Sequence, residues 1–574
     1  MDNFTVARLF REIADLLEIK GANPFKIRAY RTAADTVADC PERVSALTPD
    51  ERRLLPGIGR DLAARLTELV ETGEMAFHRE LLAEFPPSIL DLLKVQGVGP
   101  KTVAVLYREL NIRTLDELES AAAAGRLRTI KGMGQKKEAL ILKAIAEQKQ
   151  SQGRRLTAEA HDVAALLVAH LSAHAPSATV IPVGSLRRGC ETCGDLDLLA
   201  TGADASLMDV FVRHALVERV LGRGDTKSSV WLRGGFQADL RVVPAESAGA
   251  ALQYFTGSKA HNIAVRDRAL QRGLKLNEYG LFDQATGLPV AGTSEQGVYD
   301  ALGLAWIPPE LRENRGEIAA AAAGALPALI AEADIRGDLH MHTTATDGRA
   351  DAESMARAAR ALGREYIAIT DHSRALAMAN GLDEHGALAH AAGVRALNGR
   401  IEGLTVLAGI ECDILPDGRL DLSDDCLAEL DFVVASVHSA FSQDEAAMTD
   451  RLLRALSCPW VDVLGHPTGR LLLRREGYRL RLEQVMDAAA RLGVALEINA
   501  QTDRLDLSDV HARLARDRGA TLIISTDAHA PTALGWMRWG VNVARRAWLR
   551  PEDVLNTRPV DAFRAALRRT RQAS

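Results

Sequence analysis

Asp195 and Asp197 stand two residues apart in Gly194-Asp195-Leu196-Asp197, at the head of the apolar run Leu196–Ala200. On a strand, that spacing turns both carboxylates to one face, roughly 6–7 Å apart. There they can clamp two divalent ions about 3.5–4 Å apart, the arrangement that serves in-line displacement at phosphorus. The preceding segment, Gly184-Ser185-Leu186-Arg187-Arg188-Gly189, offers a hydroxyl, backbone N–H groups and guanidinium donors suited to a polyphosphate. A third carboxylate, Asp239, lies in Ala238-Asp239-Leu240-Arg241-Val242-Val243, whose apolar neighbours again predict a strand. A bare Asp-x-Asp is common at strand ends, so the weight rests on the compound pattern.

A second constellation occupies residues 334–574. Short apolar runs end in His340-Met341-His342, Thr370-Asp371-His372, Glu411, His438, Gly465-His466-Pro467, Asn499 and Thr526-Asp527-Ala528-His529, and Asp347 follows the first run. Six of the nine histidines of this region, His340, His342, His372, His438, His466 and His529, stand at run ends beside carboxylates. Such a set predicts a metal cluster of imidazole and carboxylate ligands without thiolates, suited to Zn²⁺ or Mn²⁺. His385, His390 and His511 fall in helical stretches and are left out of it.

The elements that must position these groups follow from the patterning. In the last region the runs Gly337–Thr343, Tyr366–Thr370, Thr405–Ile410, Phe432–Val437, Val461–Leu464, Ala495–Ile498 and Thr521–Ser525 alternate with helices. Seven βα repeats predict a parallel barrel with its chemistry at the C-terminal ends of the strands. Residues 151–310 read as a helix from Ala158 to His170, strands near 179–183, 196–200, 230–232 and 237–243, and a turn at Tyr254–Ser258 into a helix carrying Asn262 and Arg266. The Ala-rich stretch Ile318–Ala333 predicts a linker helix.

Residues 1–150 read as short amphipathic helices entered through paired glycines. The pairs are Gly57 and Gly59 in Leu55-Pro56-Gly57-Ile58-Gly59, Gly97 and Gly99 in Val95–Lys101, and Gly132 and Gly134 in Ile130–Lys137. Each is apolar-x-Gly-apolar-Gly at a helix start. The glycines let backbone N–H groups approach a phosphate, and the apolar residue between them can anchor in the core.

A length of 574 residues predicts three to five domains, and 47% hydrophobic with 25% charged residues is the composition of a globular chain. No run of about 18 apolar residues occurs, and Met1-Asp2-Asn3-Phe4 lacks a basic or apolar leader, so membrane spanning and secretion are not expected. A net charge of −6 does not advertise a nucleic-acid binder; the first region, with 23 basic against 22 acidic residues, is balanced, and residues 334–574 contain no lysine. Cys190 and Cys193 form a Cys-x-x-Cys with no second pair, which reads as two small residues of the phosphate loop, and none of the six cysteines calls for a disulfide.

On these motifs the chain resembles a bacterial family X DNA polymerase with a C-terminal PHP (polymerase and histidinol phosphatase) domain, over nearly its whole length. The resemblance implies a multidomain α+β and α/β protein. Its parts would be an N-terminal helical DNA-binding domain with the first helix-hairpin-helix (1–85), a second helix-hairpin-helix subdomain (86–150) and a nucleotidyltransferase palm (151–250). A nucleotide-selecting subdomain (251–315), an Ala-rich linker (316–334) and a distorted TIM-like barrel of seven βα units (335–574) would complete it. In the palm, Asp195, Asp197 and Asp239 would carry two Mg²⁺ or Mn²⁺ ions. Ser185, Arg188 and the backbone at Gly194 would hold the triphosphate of a dNTP. Tyr254, Phe255 and Gly257 would sit against its sugar, Asn262 would reach the base edge, and Arg266 would touch the template side. Gly57, Gly59, Gly97 and Gly99 would hold the DNA backbone, with Lys26 and Tyr30 on a 5′-phosphate.

In the barrel, His340, His342, Asp347, His372, Glu411, His438, His466, Asp527 and His529 would bind three ions, Zn²⁺ and/or Mn²⁺, for phosphoester hydrolysis as a 3′→5′ exonuclease. The resemblance further implies short-gap filling in DNA repair on gapped or primer-template DNA, by a cytoplasmic, nucleoid-associated monomer. One departure bears on chemistry. Relatives with 5′-deoxyribose-phosphate lyase activity use a lysine in the helix after the first hairpin, where this chain has Arg65, with Asp61 nearby. Arginine stays protonated and forms no imine, so lyase activity is not expected from that helix. The residues also admit a template-independent transferase, a phosphatase of small phosphoesters, or a DNA-binding scaffold. The hairpins, the Asn262/Arg266 pair and the complete ligand sets weigh against these.

Overall fold

A computed structural model of the chain describes residues 3–40, 44–95, 98–130, 133–150, 154–233, 235–376 and 379–567. It divides into two compact units, one of residues 1–153 with 232–236 and one of residues 154–231 with 237–574.

The first unit is helical. The helices Asn3–Lys20 and Pro24–Asp39 bury Phe10, Tyr30 and Ile13 in a common core with Leu66 of the helix Arg60–Thr72. Local signals set the helix starts: Asn23 caps Phe25 N, and Thr48 and Thr114 form capping boxes with Glu51 and Glu117. The three glycine motifs build one turn three times. The amide of Ile58, Val98 or Met133 donates to the carbonyl of Leu55, Val95 or Ile130, at 3.1, 3.0 and 3.0 Å. Those three apolar residues are buried, while Gly59, Gly99 and Gly134 open the helices Arg60–Thr72, Pro100–Leu110 and Gln135–Gln150 with free space where a side chain would stand. Gly57 has φ +73°, and a Cβ there would lie 2.5 Å from Thr32 Cγ2, so the first turn requires glycine. Gly97 and Gly132 lie outside the described residues.

The second unit carries three sheets of three or more strands. Strands β1 (Arg155–Leu156) and β3 (Thr192–Cys193) pair as a short ribbon. Strands β2 (Thr179–Pro182), β4 (Leu196–Thr201), β5 (Val217–Arg223), β6 (Lys227–Leu232) and β7 (Phe236–Val243) form a five-stranded sheet in the order β2-β4-β7-β6-β5, backed by the helix Thr157–His174. Strands β8 (Leu274–Asn277), β9 (Gly280–Asp283) and β10 (Pro289–Ala291) make an antiparallel sheet that closes over the helices Ala248–Thr256 and Lys259–Gln271.

The remaining strands, β11 (Gly337–Asp338), β12 (Tyr366–Ile369), β13 (Thr405–Asp413), β14 (Phe432–Ser436), β15 (Val463–Leu464), β16 (Ala495–Asn499) and β17 (Leu522–Ser525), pair in chain order, all parallel. A parallel bridge between Met341 and Ala528 joins the first strand to the last and nearly closes the barrel. Alternate residues divide between two cores. Tyr366, Ala368, Phe432, Val434 and Ile523 pack with Phe563, and Ile367, Ile369, Val433, Ala435 and Ile524 pack with the outer helices. Burial on both faces is why these strands read as continuous apolar runs.

The Ala-rich segment departs from expectation: its helix spans only Glu317–Ala322. Gly324 adopts φ +65°, and Pro327 lacks the N–H that a helix would need. No helix among the described residues is long and apolar enough to cross a membrane.

Candidate active sites

In the five-stranded sheet, β4 and β7 run parallel with Asp197 directly opposite Asp239, and Asp195 stands two residues before Asp197. The three carboxylates therefore share one sheet edge. Gly184, at φ +63°, lets the chain pass so close that a Cβ would lie 2.6 Å from Asp197 Oδ2. Burial, followed by the nearby Asp195 and Asp239 charges, pushes the Asp197 carboxyl up to about 6. Asp195 is raised by burial and then by Asp239. Asp239 holds a cation already, Lys227 Nζ at 2.6 Å, and accepts from Gln237 Nε2 at 3.0 Å. Clustered, mutually repelling carboxylates with a lysine drawn onto one of them are a donor set that fits divalent ions.

Small-molecule pockets run to about 300–1,000 Å³, and the cavity beside the carboxylates measures about 660 Å³. It is lined by Gly184, Ser185, Arg188, Gly194, Asp195, Asp197, Tyr254, Phe255, Gly257, Asn262 and Arg266. The structure thus gathers into one pocket all seven residues expected to hold the nucleotide, with Arg266 and two of the three carboxylates. Asn262 is held in place, its Oδ1 accepting from Gln253 Nε2 (2.8 Å) and its Nδ2 donating to the Tyr254 carbonyl (2.7 Å). Arg188 donates from Nε to Glu313 (2.9 Å) and from Nη1 to the Thr256 carbonyl (2.6 Å). Arg154 and Lys259 also line the cavity. The sequence reading missed both, because neither stands in a motif.

The barrel's polar residues meet at the C-terminal ends of its strands. Glu411 lies at their centre: His340 Nε2, His342 Nε2 and His372 Nδ1 approach its Oε2 at 3.4, 3.6 and 2.8 Å, and His438 Nε2 and His466 Nε2 approach its Oε1 at 3.4 and 3.0 Å. Asp527 Oδ1 lies 3.1 Å from His342 Nε2, and Asp347 Oδ2 lies 3.5 Å from His372 Nε2 and 3.4 Å from His529 Nε2. Three groups have donor atoms close enough to share an ion: His342, Asp347, His372 and His529; His340, His342 and Asp527; His372, Glu411 and His438. Buried His340 Nε2, His342 Nδ1, His372 Nδ1 and His466 Nδ1 make no hydrogen bond, although carboxylate oxygens are near. Ring nitrogens converging on carboxylates without hydrogen-bond alignment fit a metal cluster.

Burial would lower His372 and His438, but the Glu411 charge together with hydrogen bonds to Asp347, for His372, and Asp413, for His438, outweighs it and raises them to about 10 and about 9. For Glu411 itself the surrounding histidines, His438 first, overcome burial and hold the carboxyl well below its usual range. Protons here carry the positive charge that a cation would supply. Two of the nine residues, His466 and Asp527, sit at positive φ (+27° and +51°), a conformation that surrounding contacts must hold.

Behind these groups lie residues the sequence reading did not name. Glu497 is fully buried in β16 and accepts from His340 Nδ1 (2.7 Å), the His466 amide (2.6 Å) and Ser525 Oγ (3.0 Å). Asp413 pairs with His438 Nδ1 at 3.1 Å. Asp371 binds Thr343, Thr346 and His390, so His390 stands behind the cluster. An acidic residue inside an apolar run, as in Ala-Leu-Glu497-Ile-Asn, was the available signal.

In the first unit, Lys26 Nζ and Arg65 Cζ lie 4.4 and 4.3 Å from the ring centre of Phe77, on which Tyr30 also stacks. Tyr30 corrects an expectation. It is 1% exposed, burial raises its hydroxyl to about 12, and that hydroxyl has no hydrogen-bond partner among the described residues. Tyr30 is a core residue as it stands, leaving Lys26 and Arg65 as the cations there.

Comparison with known proteins agrees with this anatomy. Residues 1–75 match a helix-hairpin-helix domain and 89–147 a SAM-like helix-hairpin-helix tandem. Residues 156–230 match the DNA polymerase beta palm, 251–313 the DNA polymerase beta thumb and 338–501 the PHP domain. The chain is 38% identical over 567 residues to the DNA polymerase/3′-5′ exonuclease PolX of Bacillus subtilis (strain 168), covering 98% of this chain and 99% of that protein. The C-terminal region alone is 29% identical over 231 residues to a probable phosphatase of Thermoanaerobacter sp. (strain X514), covering 38% of this chain and 89% of that one. It is 30% identical over 232 residues to a probable phosphatase of Shewanella sediminis, covering 39% and 89%.

Proposed function

Because this chain belongs to the family X DNA polymerases that carry a C-terminal PHP domain, we propose that it fills short gaps in DNA and trims 3′ ends with its barrel. The observation that carries the polymerase reading is the registered pair Asp197 and Asp239, with Asp195, on the edge of a cavity lined by Ser185 and Arg188. Ser185, Arg188 and the Gly194 backbone receive the triphosphate, and Tyr254, Phe255 and Gly257 pack on the sugar. Asn262, already oriented by Gln253, reaches the minor-groove edge of the base, and Arg266 faces the template. Asp195, Asp197 and Asp239 would hold two Mg²⁺ or Mn²⁺ ions, whose chemistry is to offset charge on the attacking and leaving oxygens. The nine barrel residues would hold Zn²⁺ and/or Mn²⁺, three ions in all, whose chemistry is to acidify a water at neutral pH. Glu497 and Asp413 fix the rings of His340 and His438 for that task.

Gly59, Gly99 and Gly134 present open helix N-termini that suit a DNA backbone without reading bases. Lys26 and Arg65 offer a 5′-phosphate two cations, and the Arg65 guanidinium supplies no imine. The chain works as a cytoplasmic, nucleoid-associated monomer. A gapped duplex incubated with Mg²⁺ or Mn²⁺ tests the reading: the primer extends to the gap's end with dNTPs and shortens from its 3′ end without them. Extension that ignores the template, or no 3′ shortening, contradicts it.

A further inference from the structure

The helix Met537–Arg546 belongs to the barrel but ends at the palm. Its last residue, Arg546, is 7% exposed and reaches three elements at once. Nη1 donates to the Arg188 carbonyl (2.8 Å) and to Glu313 Oε1 (3.0 Å), while Nε and Nη2 hold Asp509 Oδ2 at 3.1 and 3.0 Å. The same Glu313 oxygen accepts from Arg188 Nε at 2.9 Å. Arg315 completes the network on Asp509 at 3.0 Å. One turn earlier, Asn542 packs against Gly189, where a Cβ would lie 3.5 Å away.

The charges do not cancel. Glu313 and Asp509 face Arg188, Arg315 and Arg546, which leaves one positive charge over, at the one arginine of the three that lines the nucleotide cavity. Without Arg546 the surplus vanishes, and among the described residues Arg188 is the one cation left on Glu313, beside the Cys190 thiol at 3.7 Å.

We infer that Arg546 is a positioning residue for nucleotide binding: by sharing Glu313 and holding the Arg188 carbonyl it keeps the Arg188 guanidinium fixed and its charge uncancelled at the cavity, making the barrel part of the polymerase's nucleotide site. The inference rests on the reading of Arg188 as a triphosphate contact. The geometry explains why an arginine is used, since a lysine cannot bond Glu313, Asp509 and a carbonyl in one plane.

The test uses the full chain on gapped DNA, with KM and kcat for dNTP measured beside 3′ exonuclease rates. R546Q is expected to raise KM about tenfold, within the usual range of coupling between sites. Its kcat should change less than about twofold and its exonuclease rate should stay at the wild-type value. R546K should recover part of the loss. D509N, which loosens both Arg546 and Arg315 but also removes one acid from the network, should raise KM about threefold, less than R546Q, because the added positive charge offsets part of the lost anchoring. If R188Q leaves KM unchanged, the triphosphate reading of Arg188 fails. If R188Q raises KM while R546Q and D509N do not, the inference alone fails. Should R546Q lose exonuclease as well, D509N decides, together with hydrogen exchange of the wild type. Because coupling is reciprocal, dNTP should slow amide exchange across residues 537–547, and unchanged exchange there overturns the proposal.

Discussion

Replacing Glu497 by glutamine removes one charge from the floor of the barrel site without changing its volume. The carboxylate accepts from His340 Nδ1 at 2.7 Å, from the His466 amide at 2.6 Å and from Ser525 Oγ at 3.0 Å, and Asn499 Nδ2 lies at 3.2 Å. Two of the nine proposed metal-binding positions are tied to it, His340 through its ring and His466 through its backbone. A glutamine has one acceptor oxygen for these donors and turns an N–H₂ group toward another. Either His340 or the His466 amide then faces an N–H₂ group, and a His340 bond that is kept has lost the charge that raises the ring's basicity. Losses of this kind cost about 10–100-fold in metal affinity, or about 1.4–2.8 kcal/mol. Wild-type and E497Q chains dialysed against graded chelator, with metal counted per chain, should show E497Q emptying at about 10–100-fold lower chelator strength. Exonuclease activity should fall with metal content, and gap filling should not change. Equal retention of metal and equal exonuclease activity would refute the role given to Glu497.

Further outcomes follow from the same geometry. With no ion bound, His372 and His438 titrate at about 10 and about 9, so both carry protons at pH 7.5 and must lose them to bind metal. Burial would lower His340, but carboxylate charges, Glu497 first, together hold it well above its usual range as well, so metal loading should release roughly two to three protons per chain and affinity should rise with pH up to that range; calorimetry in buffers of different ionisation enthalpy reads the release, and zero release counts against it. Glu295 is held at about 2: burial would raise it, but the hydrogen bonds of Arg187 and then Arg312 outweigh burial. Its contribution to stability is complete above the unfolded carboxyl's pKa of about 4.3 and is lost as pH falls toward 2. E295Q, which leaves buried Arg312 and half-buried Arg187 facing a neutral amide, should cost about 3–5 kcal/mol in chemical denaturation, and an unchanged midpoint would contradict that. Borohydride with a pre-incised abasic substrate should trap little protein, and efficient trapping abolished by K26A would overturn the argument from Arg65.

Much of the site was legible because its chemistry is local in sequence. Asp195 and Asp197 advertise themselves by spacing, and the seven apolar runs, six ending in histidine or acid and one in Asn499, fall on β11–β17. The first strand proved short, Gly337–Asp338, because the chain leaves regular pairing to carry His340 and His342 into the site. What the sequence hid was tertiary. Tyr30 sits on a helix at a position whose exposure depends on Phe10 and Phe77, far along the chain. The Ala-rich helix was cut short by Gly324 and Pro327, local breakers that composition alone outweighed. Glu497, Asp413 and Arg546 act through partners tens to hundreds of residues away, which no local pattern encodes.

The central claim is that two independent active centres share this chain, and one pair of variants tests it most directly. On a single gapped substrate, D197A should abolish dNTP incorporation and keep 3′ exonuclease activity, because its carboxylate stands only in the palm triad. H438A should lose exonuclease activity and barrel-bound metal while filling the gap at nearly the wild-type rate, because its ring meets Glu411, Asp413, His372 and His466, all of them in the barrel. Loss of both activities from either substitution in a folded chain, or exonuclease activity that survives H438A and disappears with D197A, would contradict the account.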